Sequence, residues 1–306
     1  MHILVTGGAG FIGSHLVERL LREGHRVTVM DNFFRGRREN LAGCASHPSF
    51  RLEEGDIRHY DDFERLPDGI GMIYHLAAQS NVMGAVTDLD YSYQTNVTGT
   101  YNALKFARDR GVDRFVFASS RESYGEAQYI PVDENHPLNS KNAYGASKVC
   151  GERYCDVFRQ MYGLNVFVVR LANVYGPRDF DRVIPIFINK ALRNETLSIY
   201  GGKQVIDFIG VDTVVELFVE MTGHPAVAQP VNVGSGKGTT LFELAEAILR
   251  ESGSASRLEV LPAREVEVVK FVADTKRFGK IYKTKVPENP LSLLAGMITF
   301  EKNSGK

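Results

Sequence analysis

Tyr144 and Lys148 stand four residues apart in Tyr144-Gly-Ala-Ser-Lys148, within an apolar pattern of helical period. That spacing puts both side chains on one helix face. An ammonium beside a phenol stabilises the phenolate, so Lys148 is expected to lower the pKa of Tyr144. Such a tyrosine can take a hydroxyl proton at neutral pH while hydride leaves the carbon. Tyr and Lys at this spacing also occur by chance on helix surfaces, so position in the chain must decide. The pair follows an apolar run that ends in Ser119-Ser120, the fifth or sixth strand in a series that opens near residue 2.

The start of that series carries a second signal, Val5-Thr6-Gly7-Gly8-Ala9-Gly10-Phe11-Ile12-Gly13. It follows the run Ile3-Leu4-Val5 and leads into Phe11 to Leu21, which has helical spacing. Strand, glycine turn and helix in this order form a dinucleotide cradle. Gly7 permits the tight turn, Gly10 admits a pyrophosphate to the backbone, and Gly13 lets the helix pack close to the sheet. The first N–H groups of the helix face the phosphates. The next strand, Arg26 to Met30, ends at Asp31, where a carboxylate takes the ribose hydroxyls. That carboxylate favours NAD over NADP, because a 2′-phosphate would meet like charge. Arg35, Arg37 and Arg38 weigh the other way and are read as solvated loop charges.

These groups need a scaffold. Strands are predicted at 2–6, 26–30, 50–53, 71–76, 113–119 and 164–170, with helices at 11–23, 60–65, 91–110 and 143–162. The alternation predicts an α/β fold of Rossmann type, a doubly wound parallel sheet whose strand C-termini line a ligand crevice. After residue 171 the pattern becomes irregular, with helices predicted at 183–193, 211–221, 240–251 and 289–300. The expected organisation is an NAD-binding domain over 1–170 and a smaller α/β substrate domain over 171–306. Segments at about 205–233 are expected to return to the first domain.

Composition excludes several classes. A net charge of −1 gives no electrostatic case for nucleic acid or an anionic membrane. The longest apolar stretches, such as Leu291 to Phe300, are too short to span a bilayer. The chain starts on a strand, so no signal peptide is expected. Cys44, Cys150 and Cys155 are too scattered for a disulfide framework or a zinc site; no metal is expected, and a reducing cytoplasm fits.

Taken together, the motifs resemble those of the extended short-chain dehydrogenase/reductases, specifically the NAD-dependent nucleotide-sugar epimerase/dehydratase family. The resemblance covers nearly the whole chain. It rests on Thr6 to Gly13, Asp31-Asn32, Gly55-Asp56-Ile57, His75-Leu76-Ala77-Ala78, Asn96 to Thr100, Tyr144 with Lys148, Arg170 to Pro177, and Tyr200-Gly201-Gly202. It implies that Tyr144 is the base and that Lys148 holds it and the nicotinamide ribose. Ser120 would share the sugar's 4-hydroxyl, with Ser119 beside the cofactor. Gly7, Gly10, Phe11, Ile12 and Gly13 would meet the pyrophosphate, Asp31 and Asn32 the adenosine ribose, and Asp56 and Ile57 the adenine. Leu76, Ala77 and Ala78 would flank the pyrophosphate, with Asn96 a structural and cofactor neighbour. Gln79, Ser80, Asn173, Tyr200, Lys203 and Arg264 fall on the substrate side. The family further implies a UDP-sugar substrate and a homodimer, formed through the helices at 91–110 and 143–162.

Two departures matter. Members that epimerise C4 carry small residues after the Ser-Ser pair; those that eliminate water carry Asp-Glu. This chain has Arg121-Glu122. Glu122 matches the dehydratase base that takes the C5 proton, while Arg121 replaces the acid and can only stabilise charge. The reading is a dehydratase, in the manner of the family branch that makes 5,6-unsaturated UDP-hexosamines for the antibiotic tunicamycin. The alternatives are a UDP-sugar 4-epimerase holding its sugar with Arg121 and Glu122, a non-catalytic dinucleotide sensor, and a simple alcohol dehydrogenase. The second departure is Ile206, where the family carries a phosphate-binding arginine; Lys203 or Arg264 is expected to compensate.

Overall fold

Glycines and apolar runs place the first elements. In this computed structural model, which describes residues 1–225, 227–266 and 268–304, β1 (His2–Thr6) leads through the glycine turn into α1 (Phe11–Arg22). There follow β2 (Arg26–Asp31), β3 (Phe50–Glu54), α2 (Tyr60–Glu64) and β4 (Met72–His75). Next come α3 (Val82–Thr87), α4 (Leu89–Tyr93), α5 (Gly99–Asp109), β5 (Arg114–Ser120), α6 (Ala143–Tyr162) and β6 (Asn165–Leu171). With β10 (Val231–Val233) they build a seven-stranded parallel sheet in the order β10-β6-β5-β4-β1-β2-β3. The order reverses between β1 and β4, where a crevice opens at the strand C-termini.

The strands are apolar on both faces because both are covered. Ile3 and Val5 face Leu16, Val17 and Phe218, while Leu4 points the other way, toward Leu104, Phe106 and Phe158. On β5, Val116 and Ala118 belong to the first layer and Phe115 and Phe117 to the second.

The remaining chain builds the wall opposite. β7 (Asn173–Tyr175), β9 (Val205–Gly210) and β11 (Gly238–Thr240) form a three-stranded sheet; β8 (Leu197–Tyr200) pairs with β12 (Leu258–Leu261). Around them pack α7 (Val183–Leu192), α9 (Leu241–Ser252) and α11 (Leu294–Ser304), over a third core that includes Phe187, Ile199, Leu244 and Met297. Of the segment 205–233, α8 (Val211–Met221) packs on α1 and β10 joins β6, whereas β9 stays with the small sheet. Phe271, Ala273 and Phe278, the last on α10 (Lys276–Ile281), also enter the first core.

The helix expected at 91–110 is broken. Between α4 and α5 the chain takes a π-helical turn at Gln94–Thr98. There the Asn96 side chain accepts from the Gln79 N–H at 2.8 Å and donates to the Ser147 hydroxyl at 3.0 Å. The expected last helix begins later, at Leu294, because Pro290 and a turn closed by the Asn289 side chain precede it.

Candidate active site

The cleft between the sheet and the opposite wall has a volume of about 620 Å³ and collects residues from both. Its floor is the glycine turn. Gly7 has φ +72°, and a Cβ there would lie 2.7 Å from the Ala77 nitrogen; one on Gly13 would lie 2.2 Å from the Gly7 carbonyl oxygen. Both positions exclude a side chain. Asp31 is buried at the end of β2, with Oδ2 accepting from the Ala9 N–H and Oδ1 from the Phe33 N–H, each at 2.9 Å. Burial pushes its carboxyl up from the ordinary value while those N–H groups oppose the shift. The same carboxylate expected to face a ribose therefore also shapes the glycine loop.

Of the three arginines after it, Arg37 and Arg38 are exposed, as expected of solvated loop charges, while Arg35 is half-buried. Arg35 pairs with Asp181 at 2.7 Å, Arg37 lies 4.6 Å from the centre of the Phe180 ring, and Arg38 pairs with Glu54. Each is drawn to a carboxylate or ring on a facing segment, which leaves none committed to a 2′-phosphate. The cradle fits NAD.

The chemistry sits at the end of β5. Tyr144 and Lys148, on the first turns of α6, are buried beside Ser119 and Ser120. The Lys148 ammonium donates to the Ala118 carbonyl oxygen at 2.8 Å and lies 5.7 Å from the centre of the Tyr144 ring. Burial lowers the pKa of Lys148 to about 8. The expected acidification of Tyr144 by Lys148 is not found. Burial raises the phenol; Arg182, hydrogen bonding with Ser120 and the charge of Arg121 pull it down, and Glu122 pushes it up. The reason lies in Lys148 itself: its own pKa is lowered below the range in which a raised phenol titrates, and Arg182 reaches over from the facing wall instead.

Glu122 is 5% exposed, in a short 3-10 turn that follows β5. Its Oε1 meets Arg121 at 2.9 Å, and its Oε2 accepts from the Asn142 amide at 2.8 Å. Asn142 also caps α6, so one residue ties the carboxylate to the helix carrying Tyr144.

Most sequence-derived residues line this cleft: Gly7, Gly10, Phe11, Ile12, Gly13, Asp31, Asn32, Ile57, Leu76, Ala77, Ala78, Ser80, Ser119, Ser120, Arg121, Glu122, Tyr144, Lys148, Asn173, Tyr200 and Arg264. Four do not. Asp56 is engaged outside it: burial pushes its carboxyl up, but hydrogen bonds from Arg58 and Asn32 outweigh this and hold it at about 2. Gln79 and Asn96 are buried and pair with each other. Lys203 is exposed. Arg264, by contrast, lies 3.8 Å from the centre of the Tyr200 ring, while Ile206 lines the cleft where the phosphate-binding arginine was expected. Thr95, Asp179, Arg182 and Gln204 line it too. Sequence reasoning missed them because they lie on irregular segments, although the charged run Arg178-Asp179-Phe180-Asp181-Arg182 was a visible signal.

Among the described residues, four buried side-chain atoms without a hydrogen-bond partner belong to this cleft: Thr95 Oγ1, Asn173 Nδ2, Asp179 Oδ2 and Gln204 Oε1. Buried polar atoms are rarely left unpaired, so their concentration here marks a site built for a polar ligand. Residues 3–234 match the model of the NAD-dependent epimerase/dehydratase family. The chain belongs to that family. A UDP-glucose 4-epimerase of Mycolicibacterium smegmatis is 38% identical over 288 residues, 92% of each chain. Among solved structures, a UDP-glucose 4-epimerase from Thermotoga maritima with UDP-glucose superposes with a TM-score of 0.94 at 31% identity, covering 100% of both chains. DesIV, a dTDP-glucose 4,6-dehydratase from Streptomyces venezuelae with NAD bound, gives 0.94 at 30% identity over 100% of this chain and 98% of that one. As in other family members the cofactor is NAD, and the glycine turn and Asp31 are the residues that would hold it. No helix among the described residues is long and apolar enough to cross a membrane, and they hold no cluster of three metal-ligating side chains.

Proposed function

We propose that the protein is an NAD-dependent dehydratase of a UDP-hexose or UDP-N-acetylhexosamine. The observation that carries this reading is a buried carboxylate, Glu122, two residues beyond Ser120 at the mouth of the Tyr144 site. An epimerase inverting C4 has no carbon-bound proton to remove by a base; a dehydratase has one, at C5. When bound, NAD accepts hydride from C4 and later returns it. Tyr144 takes the 4-hydroxyl proton, with Ser120 sharing that hydrogen bond. The resulting ketone acidifies C5–H, and Glu122 takes that proton. The electron pair left on C5 forms the 5,6-double bond as the C6 hydroxyl takes the proton from the Glu122 carboxyl and departs as water. Arg121, which cannot give up a proton at neutral pH, balances charge on the enolate. Hydride returned to C4 gives a 5,6-ene; returned to C6, a 4-keto-6-deoxy sugar. Arg264 against Tyr200 takes over diphosphate binding where Ile206 cannot.

The second reading, a UDP-sugar 4-epimerase, draws on the ion pair between Arg121 and Glu122, which can simply hold the sugar, and on the epimerases among the relatives. Glu122→Gln separates the two. For a dehydratase it lowers water loss by about 10²–10⁴-fold and still permits oxidation at C4. Native rates of C5 exchange with deuterated solvent in this variant would show that Glu122 is not the C5 base, and a native protein that exchanges no C5 proton would leave the epimerase.

A homodimer through α5 and α6 belongs to the same proposal. Tyr101, Val157, Met161 and Tyr162 stand 41–68% exposed along these two helices, an apolar surface that a second copy would cover. Free cysteines, two buried and one half-buried, suit a reducing cytoplasm.

A further inference from the structure

Among the described residues four carboxylates line the cleft, and three leave no buried oxygen without a partner. Asp31 accepts two backbone N–H groups, Glu122 holds Arg121 and Asn142, and Asp181 holds Arg35 at 2.7 Å and Asn81 at 3.0 Å. Asp179 differs. It lies in the loop between β7 and α7, its residue 3% exposed, with Oδ1 paired to Arg182 Nη1 at 3.0 Å and Oδ2 buried without a partner. We infer that Asp179 reads the sugar, its open Oδ2 accepting a hydrogen bond from a hydroxyl or amide N–H on the pyranose of the bound nucleotide sugar. The inference rests on the nucleotide-sugar reading of the cleft, and it holds equally for a dehydratase or an epimerase.

Asp179 is fixed from behind: its N–H donates to the Gly176 carbonyl oxygen, and the preceding Arg178 takes a positive φ of 71° and pairs with Glu18 on α1. Its partner Arg182 lies 5.8 Å from the Phe11 ring at the mouth of the glycine turn and is the strongest charge acting on the Tyr144 phenol. The Asp179–Arg182 pair therefore stands on the wall that faces the catalytic tyrosine, where the sugar must lie for its C4 hydroxyl to reach Tyr144. A carboxylate oxygen buried there with no donor pays desolvation without return unless a ligand supplies one. Burial raises the Asp179 carboxyl and the charge of Asp181 adds to it, with Arg182 and the Phe180 N–H opposing. A pyranose offers such donors at several ring carbons. The pyrophosphate offers only acceptors, and like charge as well.

The test is calorimetric binding of UDP and of UDP-N-acetylglucosamine to the NAD-loaded protein, for the native chain, Asp179→Asn and Asp179→Ala. UDP carries the nucleotide but no pyranose. A lost charge-assisted bond predicts that the Kd of UDP-N-acetylglucosamine rises about tenfold or more while that of UDP stays within about twofold. Bound NAD and melting temperature, read on the same samples, show that each variant is folded and loaded. Equal weakening of UDP and the UDP-sugar would make Asp179 a loop-packing residue and overturn the inference. So would loss of NAD with UDP-sugar affinity intact, which would assign the acceptor to the carboxamide of the cofactor. Failure of the native protein to bind UDP or the UDP-sugar would remove the nucleotide-sugar reading itself, and this inference with it.

Discussion

At the scale of single residues, the chemistry of this site comes from which polar atoms are left open once the fold is formed. Asp31 was legible in the sequence because it ends a strand at the spacing a ribose requires. Its second task, closing the glycine loop through Ala9 and Phe33, was not, since that depends on a turn only coordinates show. Asp31→Asn keeps an acceptor for the loop and loses the charge, so NAD affinity should fall about ten- to a hundredfold, the worth of a charge-assisted bond. Titration of cofactor-free protein with NAD measures this; an unchanged affinity would show that the ribose lies elsewhere. Tyr144 and Lys148 were equally legible as a pair, but the electrostatics between them were not. The cation acting most strongly on the phenol is Arg182, on a segment whose sequence has no period to read. Tyr144→Phe should abolish both ketone formation and water loss, because it removes the group that takes the 4-hydroxyl proton. Mass analysis of the sugar nucleotide after prolonged incubation checks it, and turnover by this variant would reassign the base.

At the scale of elements, apolar periodicity placed β1, β2, β5, β6 and α6 within a residue or two, because both faces of the sheet are buried and the pattern has one solution. It failed at 91–110, where Asn96 bonds to Gln79 and Ser147 across a π-helical turn. A polar residue's partner is invisible in a hydrophobic count. His75 shows what such polar joints cost. At the end of β4, its ring nitrogens meet Thr6 on β1 at 2.8 Å and Thr100 on α5 at 3.1 Å. Burial, with the charge of Lys148 adding to it, lowers its pKa to about 3 from 6.5. The unfolded chain therefore binds the proton first as pH falls, so stability is full above about 6.5 and is lost progressively from there toward 3. The melting temperature should drop between pH 7 and pH 5, and the drop should be shallower in His75→Gln. Parallel curves for the two proteins would mean that His75 is not held neutral.

At the scale of the whole molecule, two walls meet over a cofactor cradle, and the segment 177–182 ties them together. Arg35 reaches Asp181, Arg178 reaches Glu18, and the His15 ring bonds the Pro177 carbonyl oxygen at 2.9 Å. The fold class could be read from the alternation of strands and helices. In the second wall α7 and α9 were read to within a residue, but the sheets were not, because their two and three short strands draw on segments far apart in the chain. The aromatic and aliphatic face of α5 and α6 predicts a dimer. Val157→Glu with Met161→Lys should give monomers by light scattering at micromolar concentration, and a native protein already monomeric there would contradict the prediction. We propose that this cradle and its buried Glu122 together drive elimination. The most direct test is the mass of the sugar nucleotide after incubation of the NAD-loaded protein with UDP-N-acetylglucosamine. Elimination gives a product lighter by one water with no net NADH; a product of unchanged mass, inverted at C4, would contradict it.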